Sequence, residues 1–162
     1  MKLIDGKKIA NEIIQEIKDA IAKISEGKPG RKPERKPGLA FILVGDNPAS
    51  QTYVKAKKKA CAEVGIQSHL LEFPSTISQR DLLNQIELLN QNPLIDSILV
   101  QLPLPSHINE QVVTMTIDPT KDVDGFHPLN VGKMLLGNDS AILPCTPHGI
   151  QVLLQKSHIS VS

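Results

Sequence analysis

The sequence predicts an α/β fold in which a mostly parallel sheet lies between two layers of helices. Short apolar segments that suit buried strands occur at 39–44, 68–73 and 97–102, and helical segments separate them. This β-α-β-α-β order is typical of parallel strands joined by right-handed crossovers. A chain of 162 residues with 40% apolar and 22% charged residues fits one globular domain.

The first two helices have clear sequence signals. Isoleucines recur at three- and four-residue spacing over about 6–25, which indicates an amphipathic helix. Asn47 is a residue that commonly caps helices, and Pro48 suits the first turn of the helix that would follow. Gly65 is typical of the end of such a helix, so we expect a second helix between these positions. Between them, 26–36 combines basic residues with prolines and glycines, and we expect it to be a solvated linker.

Later helices are predicted from their caps. Ser78, with Asp81 three residues on, resembles a capping box. Asn109 can cap a fourth helix, and Thr146 with Pro147 suits the cap and first residue of a last one.

Composition excludes several classes of partner. A net charge of +1 gives no reason to expect binding to nucleic acid or an anionic membrane. Cys61 and Cys145 form no CxxC motif, which favours a reducing compartment. The first eleven residues lack the apolar core of a signal peptide, and no apolar run reaches the roughly 18 residues of a membrane span. We therefore expect a cytoplasmic protein.

Lys57 is the most distinctive residue of the second helix. A projection at about 100° per residue places Lys57 within an apolar arc, whose members are Tyr53, Val54, Ala60, Cys61 and Val64. Burial disfavours the charged ammonium, so a buried lysine can act as a base or nucleophile near neutral pH. The alternative is a long side chain that reaches water at the edge of the helix.

Ligands of open parallel sheets bind beyond the carboxyl ends of the strands. The 45–50 turn and Gln101 both follow predicted strands, while Tyr53 and Lys57 lie one helical turn apart. These positions predict a pocket formed by Tyr53, Lys57 and Gln101. Alternatively, Gln101 only satisfies the backbone of its loop.

The segment 119–128 is rich in turn-forming residues and carries Asp122 and Asp124. A calcium loop is rejected because the third oxygen ligand and the later glutamate are absent. One aspartate could bind an amino-heterocycle by accepting paired N–H groups, or either could form an Asx turn. The histidines lack zinc-site spacing, so no metal is expected, and no glycine-rich dinucleotide or P-loop motif occurs.

Several long motifs, in this order, resemble the bifunctional methylenetetrahydrofolate dehydrogenase/methenyltetrahydrofolate cyclohydrolase family. They are Val44-Gly45-Asp46-Asn47-Pro48-Ala49-Ser50 leading to Tyr53-Val-Lys-Ala-Lys57, then Ile98-Leu-Val-Gln-Leu-Pro-Leu104, Lys121-Asp-Val-Asp-Gly-Phe-His-Pro128 and Pro144-Cys-Thr-Pro147.

The resemblance assigns roles to particular residues. It implies that Lys57 is catalytic, that Tyr53 lies against the folate, that Gln101 tunes Lys57 and that Asp124 binds the pterin ring. It further implies a substrate pocket lined by Ser50, Val54, Lys55, Ala56, Val100 and Leu102.

The resemblance also implies two reactions. The methylene bridge of 5,10-methylenetetrahydrofolate passes a hydride to NADP, and the methenyl product is hydrolysed to 10-formyltetrahydrofolate. We expect 1–158 to form the folate-binding catalytic domain and 159–162 to begin the connection to a Rossmann-type NADP domain absent from this chain. Cys145 and Thr146 are expected near NADP, and the complete protein is expected to be a homodimer. This chain alone is then inactive as a dehydrogenase.

Two other functions remain open from the sequence. One is a non-catalytic module that binds folate or pairs with a full-length subunit. The other is an unrelated α/β enzyme that uses Lys57 to form a Schiff base.

Overall fold

The computed structural model describes residues 3–26 and 35–160. Within these ranges the elements follow one another as α1 (Gly6–Glu26), β1 (Gly38–Val44), α2 (Pro48–Val64), β2 (Gln67–Phe73), α3 (Gln79–Gln91), β3 (Ser97–Val100), α4 (Glu110–Thr116), α5 (Pro128–Leu135) and α6 (Cys145–Lys156).

The strands form a parallel sheet with β1 in the centre, in the order β2-β1-β3. The register pairs Val44 of β1 with Phe73 of β2, and Ile42 of β1 with Val100 of β3. This confirms the predicted parallel sheet. Because the strands run in one direction, their carboxyl ends lie at the same edge.

Helices cover both faces of the sheet, as a three-layer fold requires. Ala40, Ile42 and Val44 of β1 pack with buried residues of α3 and α4. Phe41 and Leu43 face the other way and pack with α2. All five are at most 5% exposed, and burying a leucine, isoleucine or phenylalanine contributes roughly 1.5–3 kcal/mol. The continuous apolar run therefore reflects a strand buried on both faces.

The predicted caps of the second, third and fourth helices are confirmed. The Asn47 side chain accepts hydrogen bonds from two first-turn N–H groups at 2.9 and 3.1 Å, and Gly65 ends α2 in the left-handed region at φ 90°. Asn109 caps α4 in the same way. Ser78 accepts from the Asp81 N–H at 3.1 Å and donates its hydroxyl to the Asp81 carboxylate at 2.7 Å.

Two later features differ from the sequence prediction. β3 ends at Val100 rather than Leu102. The Gln101 N–H still donates to the Ile42 carbonyl at 2.9 Å, but Pro103 has no N–H with which to extend the ladder. The α5 helix was not predicted from the sequence. His127 caps it by accepting from the Leu129 N–H at 3.1 Å.

The prediction of Thr146 as the cap of the last helix is wrong. α6 begins at Cys145, and Pro144 occupies the cap position without a side-chain hydrogen bond. Thr146 and Pro147 therefore lie in the first turn. The N–H groups of this turn have no acceptor within the helix, so Pro147 removes no helical hydrogen bond there.

Most of the predicted 26–36 linker, residues 27–34, lies outside the described residues. Arg35, at its end, belongs to the folded domain. Its guanidinium donates to both carboxylate oxygens of Asp96 at 2.7 and 2.8 Å. The pKa of Asp96 is lowered, chiefly by this hydrogen bond. Asp96 also accepts from the Gly38 N–H at 2.7 Å, so the pair fixes the start of β1.

Candidate active site

Three segments meet beyond the carboxyl ends of β1 and β3. They are the part of α2 around Lys57, the residues after β3, and the loop 117–127 between α4 and α5. A hydrogen bond joins Lys57 of α2 to Gln101, and the charge of Lys57 acts on Asp124 of the loop. The predicted convergence of Lys57 and Gln101 is therefore present, and Asp124 joins it.

The packing of α2 places Lys57 at the border between core and solvent. Ser50, Val54, Cys61 and Val64 are the buried residues of this helix. Lys57 falls within the same stripe, between Val54 and Cys61, and is half-buried. A stripe with this spacing recurs every three to four residues and faces the sheet. Lys57 thus keeps its stem against the domain while its ammonium reaches the edge of the strands.

Gln101 holds the amine of Lys57. The Nζ of Lys57 donates to Oε1 of Gln101 at 3.3 Å. The Nε2 of Gln101 donates to the Leu102 carbonyl at 2.8 Å. The second bond fixes which way the amide faces, because only its oxygen then remains for the lysine. Gln101 therefore contacts Lys57 as well as the backbone of its own loop, so it does more than satisfy that loop.

Asp122 is the structural aspartate of the loop. It is 2% exposed, and its carboxylate accepts from the N–H groups of Phe126 at 3.3 Å and His127 at 2.8 Å. The amide of Asn130, 1% exposed, donates to the same carboxylate at 3.0 Å. It also donates to the Pro119 carbonyl at 2.8 Å. Asp122 therefore closes the loop onto the start of α5.

Asp124 has a different environment. It is half-buried, and its carboxylate has no hydrogen-bond donor among residues 3–26 and 35–160. Burial raises the pKa of Asp124, the positive charge of Lys57 opposes this rise, and the negative charge of Asp122 adds to it. A carboxylate with unfilled acceptor sites can receive N–H groups from a ligand.

Gly125 lets the loop approach the segment before α6. Its φ is +70°, and a Cβ at this position would lie 2.6 Å from the carbonyl carbon of Leu143. The same approach brings Cys145 to the site, where its Sγ donates to the Val123 carbonyl at 3.3 Å. Burial raises the pKa of the Cys145 thiol, and the charge of Asp124 adds to this rise. A neutral thiol therefore lies beside the carboxylate.

The predicted apolar arc of α2 is too wide. Tyr53 is 64% exposed and Ala60 is exposed as well. The sheet covers only the stripe that contains Val54 and Cys61, so residues on the flank of that stripe stay in solvent. Tyr53 nevertheless lies one turn before Lys57, where its open ring is available to stack on a bound molecule.

The other predicted pocket residues do not share one cavity. Ser50, Val54 and Val100 are buried, and Val100, Leu102 and Asp124 line one small cavity of about 20 Å³. Val54 and Lys55 line a separate cavity of about 370 Å³ between α2 and β2, whose lining does not include the three site residues Lys57, Gln101 and Asp124.

Ala56 is exposed. Cys145 and Thr146 line a groove between α1 and α6.

Asn130, the partner of Asp122, follows the Lys121–Pro128 motif of the family resemblance, but the sequence analysis gave it no role. Its signal was weak, because an asparagine inside a short unrecognised helix has no distinctive spacing. Within the described ranges, no cluster of three histidine, cysteine, aspartate or glutamate side chains could hold a metal ion. In the same residues, none of the helices has the length and apolarity to cross a membrane.

The fold and the site define a class: an α/β domain with a lysine–glutamine pair and an acceptor carboxylate beyond the carboxyl ends of its parallel strands. Residues 4–124 match the family model of the tetrahydrofolate dehydrogenase/cyclohydrolase catalytic domain. The chain belongs to this family.

Curated relatives and solved structures agree with this membership. The chain is 52% identical to the bifunctional protein FolD of Geobacillus thermodenitrificans over 161 residues, which are 99% of this chain and 54% of that protein. It is 54% identical to FolD of Protochlamydia amoebophila over 159 residues, 98% of this chain and 52% of the relative. The chain thus spans about half the length of the curated relatives it matches.

Among solved structures, the bifunctional enzyme FolD from Campylobacter jejuni superimposes with a TM-score of 0.90 at 46% identity, over 96% of this chain and 53% of that one. The enzyme from Trypanosoma brucei, solved with NADP cofactor and inhibitor, gives a TM-score of 0.86 at 35% identity, over 96% of this chain and 51% of that one.

Proposed function

We propose that residues 1–158 are the folate-binding catalytic domain of a bifunctional methylenetetrahydrofolate dehydrogenase and methenyltetrahydrofolate cyclohydrolase. The observation that carries the proposal is the hydrogen bond between Lys57 and Gln101, with Asp124 close enough for its pKa to respond to Lys57. Family membership supports the substrate class.

Asp124 and Tyr53 are proposed to hold the substrate. A pterin ring presents an amide N–H and an amino group side by side, and an ionised carboxylate can accept both. Asp124 has acceptor sites that no donor in the described residues fills. Tyr53 then stacks its exposed ring on the folate. Binding at both places puts the one-carbon bridge beside Lys57.

Lys57 is proposed to act as the base in hydrolysis of the methenyl compound. When its amine is deprotonated, it takes a proton from water as the water oxygen bonds to the cationic methenyl carbon. The hydroxyl group of this adduct then loses its proton as its carbon–oxygen bond becomes double and the bond from that carbon to one nitrogen breaks. The released nitrogen takes up one of the two protons of the water, the other leaves to solvent, and 10-formyltetrahydrofolate remains. Gln101 accepts one N–H of the amine, so the lone pair of Nζ is left to face the water.

The dehydrogenase reaction belongs, in this proposal, to the complete protein. The sequence holds no glycine-rich dinucleotide motif, so the residues present do not fit an NADP site by themselves. Their contribution is to hold the methylene compound with its bridge facing away from the sheet. The complete protein is further proposed to be a homodimer, which analytical ultracentrifugation can check.

Titration of the complete encoded protein with 5,10-methenyltetrahydrofolate, with hydrolysis followed by the loss of the compound's absorbance, tests the proposal. We expect saturable binding and hydrolysis that depends on Lys57. Absence of binding by the complete encoded protein contradicts the proposal. Binding without hydrolysis by that protein favours a non-catalytic folate-binding module instead.

A further inference from the structure

We propose that Asp122 is a positioning residue, which presents Asp124 to the ligand by clamping the loop onto α5. This inference rests on the proposed function, in which Asp124 binds the pterin ring. It assigns different tasks to the two aspartates of the loop: one fixes the backbone, and the other meets the substrate.

The contacts of Asp122 show how the clamp works. Its carboxylate receives two backbone N–H groups, from Phe126 and His127, and the side-chain amide of Asn130. Phe126 and His127 follow Asp124 in sequence. Their N–H groups contact Asp122 because the chain folds back after Asp124. Asp124 lies inside this closed segment, so these hydrogen bonds restrain the backbone that carries it.

The other end of the segment is held by Lys121. Its Nζ donates to the carbonyl groups of Leu89, Asn90 and Asn92 at 3.1, 2.7 and 3.0 Å. These carbonyls lie at the carboxyl end of α3, where the helix dipole favours a cation. The residues before and after Asp124 are thus tied to two different helices.

Asp122 also influences Asp124 through its charge. Within the described part of the chain, the charges that act on Asp124 come from Lys57 of α2 and from Asp122, and the thiol of Cys145 from α6 lies nearby. A buried negative charge disfavours a second one, so Asp122 favours the protonated form of Asp124. A residue that only shaped the backbone would change ligand affinity without changing the pH at which Asp124 ionises.

The test compares Asp122→Asn with Asp118→Asn, which removes a carboxylate of the same loop that caps Thr120. Binding of 5,10-methenyltetrahydrofolate to the full encoded protein is measured as a function of pH. We expect Asp122→Asn to raise Kd on the order of tenfold at neutral pH, the size of one lost charged hydrogen bond. We also expect the acidic fall in affinity to move to lower pH. Asp118→Asn should change neither.

A second readout needs no folate. Carbon-13 NMR titration of the Asp124 carboxyl group should give a lower pKa in Asp122→Asn than in the unsubstituted protein. An unchanged titration together with unchanged Kd overturns the inference. Failure of the unsubstituted protein to bind folate overturns the proposed function instead, and the NMR titration still decides the role of Asp122.

Asn130→Ala covers the case in which Asp122→Asn does not fold. This variant keeps the carboxylate but removes one of its donors. We expect a weaker clamp to raise Kd without moving the acidic fall in affinity. Wild-type affinity in a folded Asn130→Ala protein contradicts the clamp.

Discussion

Lys57 donates a hydrogen bond to Gln101 at 3.3 Å and so joins α2 to the residue that follows the carboxyl end of β3. The two residues are 44 positions apart in sequence. Lys57 lies within the buried stripe of α2, and Gln101 directly follows the buried end of β3. Their contact therefore depends on the packing of α2 against β1 and on the register of β3, so the domain core itself sets the geometry of the proposed base.

Removing the amine of Lys57 tests its role directly. Lys57→Met keeps a long apolar stem but no proton acceptor, so hydrolysis of the methenyl compound should fall at least about 100-fold, the lower range for a general base. Folate binding should persist, since Asp124 and Tyr53 remain. A stopped-flow absorbance assay measures the rate.

The matched control is Lys58→Met. Lys58 is half-buried like Lys57, but it lines the separate cavity between α2 and β2. The Lys58→Met variant should hydrolyse the methenyl compound at the same rate as the unsubstituted protein. Equal rates for the two methionine variants would contradict the assignment of Lys57 as the base.

Much of the fold could be predicted from the sequence because single elements carry strong local signals. The apolar run of β1 and the cap at Asn47 depend on neighbouring residues only, and both are confirmed. The width of the buried face of α2 depends on how much of the helix the sheet covers. For this reason the sequence placed Tyr53 in the apolar arc, although the residue is exposed. Residue types alone left open which of Asp122 and Asp124 meets a ligand, because the answer depends on contacts with Asn130 and α5. Only the family resemblance singled out Asp124.

Changing Gln101 should alter the pH dependence of hydrolysis. Gln101→Glu places a carboxylate beside the amine of Lys57, and an opposite charge at this distance favours the ammonium form. The rate at neutral pH should fall and recover as the pH is raised. Gln51→Glu adds the same charge on the side of α2 that lines the other cavity, and it should leave the profile unchanged. A Gln101→Glu profile that overlays the unsubstituted one would show that the contact does not matter for catalysis.

Asp124 should lower the stability of the unliganded fold at neutral pH. Burial raises its pKa in the folded state, so the fold binds this proton more tightly than the unfolded chain does. The resulting penalty is absent below the ordinary aspartate pKa of about 3.9 and complete above the folded pKa. Asp124→Asn should therefore increase the free energy of unfolding at neutral pH and not in acid, while weakening folate binding.

Asp118→Asn should have the opposite sign. The hydroxyl of Thr120 is the main cause that lowers the pKa of Asp118. The stabilisation that ionised Asp118 gives the fold is present above the ordinary aspartate pKa. It is lost as the pH falls through the lower pKa that Asp118 has in the folded state. This variant should lose stability at neutral pH and match the parent in acid. Urea unfolding at both pH values measures both variants, and a gain by Asp118→Asn at neutral pH would contradict the linkage.

Gly125 should tolerate no side chain, because two separate constraints act on it. Its φ of +70° disfavours other residues, and a Cβ would meet the backbone of Leu143 and Pro144 at 2.6–2.7 Å. Gly137 shares the first constraint, with φ +68°, but a Cβ there would meet nothing within 4 Å. Gly137→Ala should therefore cost roughly 1–2 kcal/mol from backbone strain alone. Gly125→Ala should cost about 1–3 kcal/mol more from overpacking.

The excess cost of Gly125→Ala should be accompanied by weaker folate binding. The alanine would push the loop away from the segment before α6, and Asp124 is the neighbouring residue, so its carboxylate would move with the loop. Urea unfolding and ligand titration of both alanine variants separate these effects. If Gly125→Ala and Gly137→Ala lose the same stability and bind folate equally well, the close approach at Leu143 does not hold Asp124 in place.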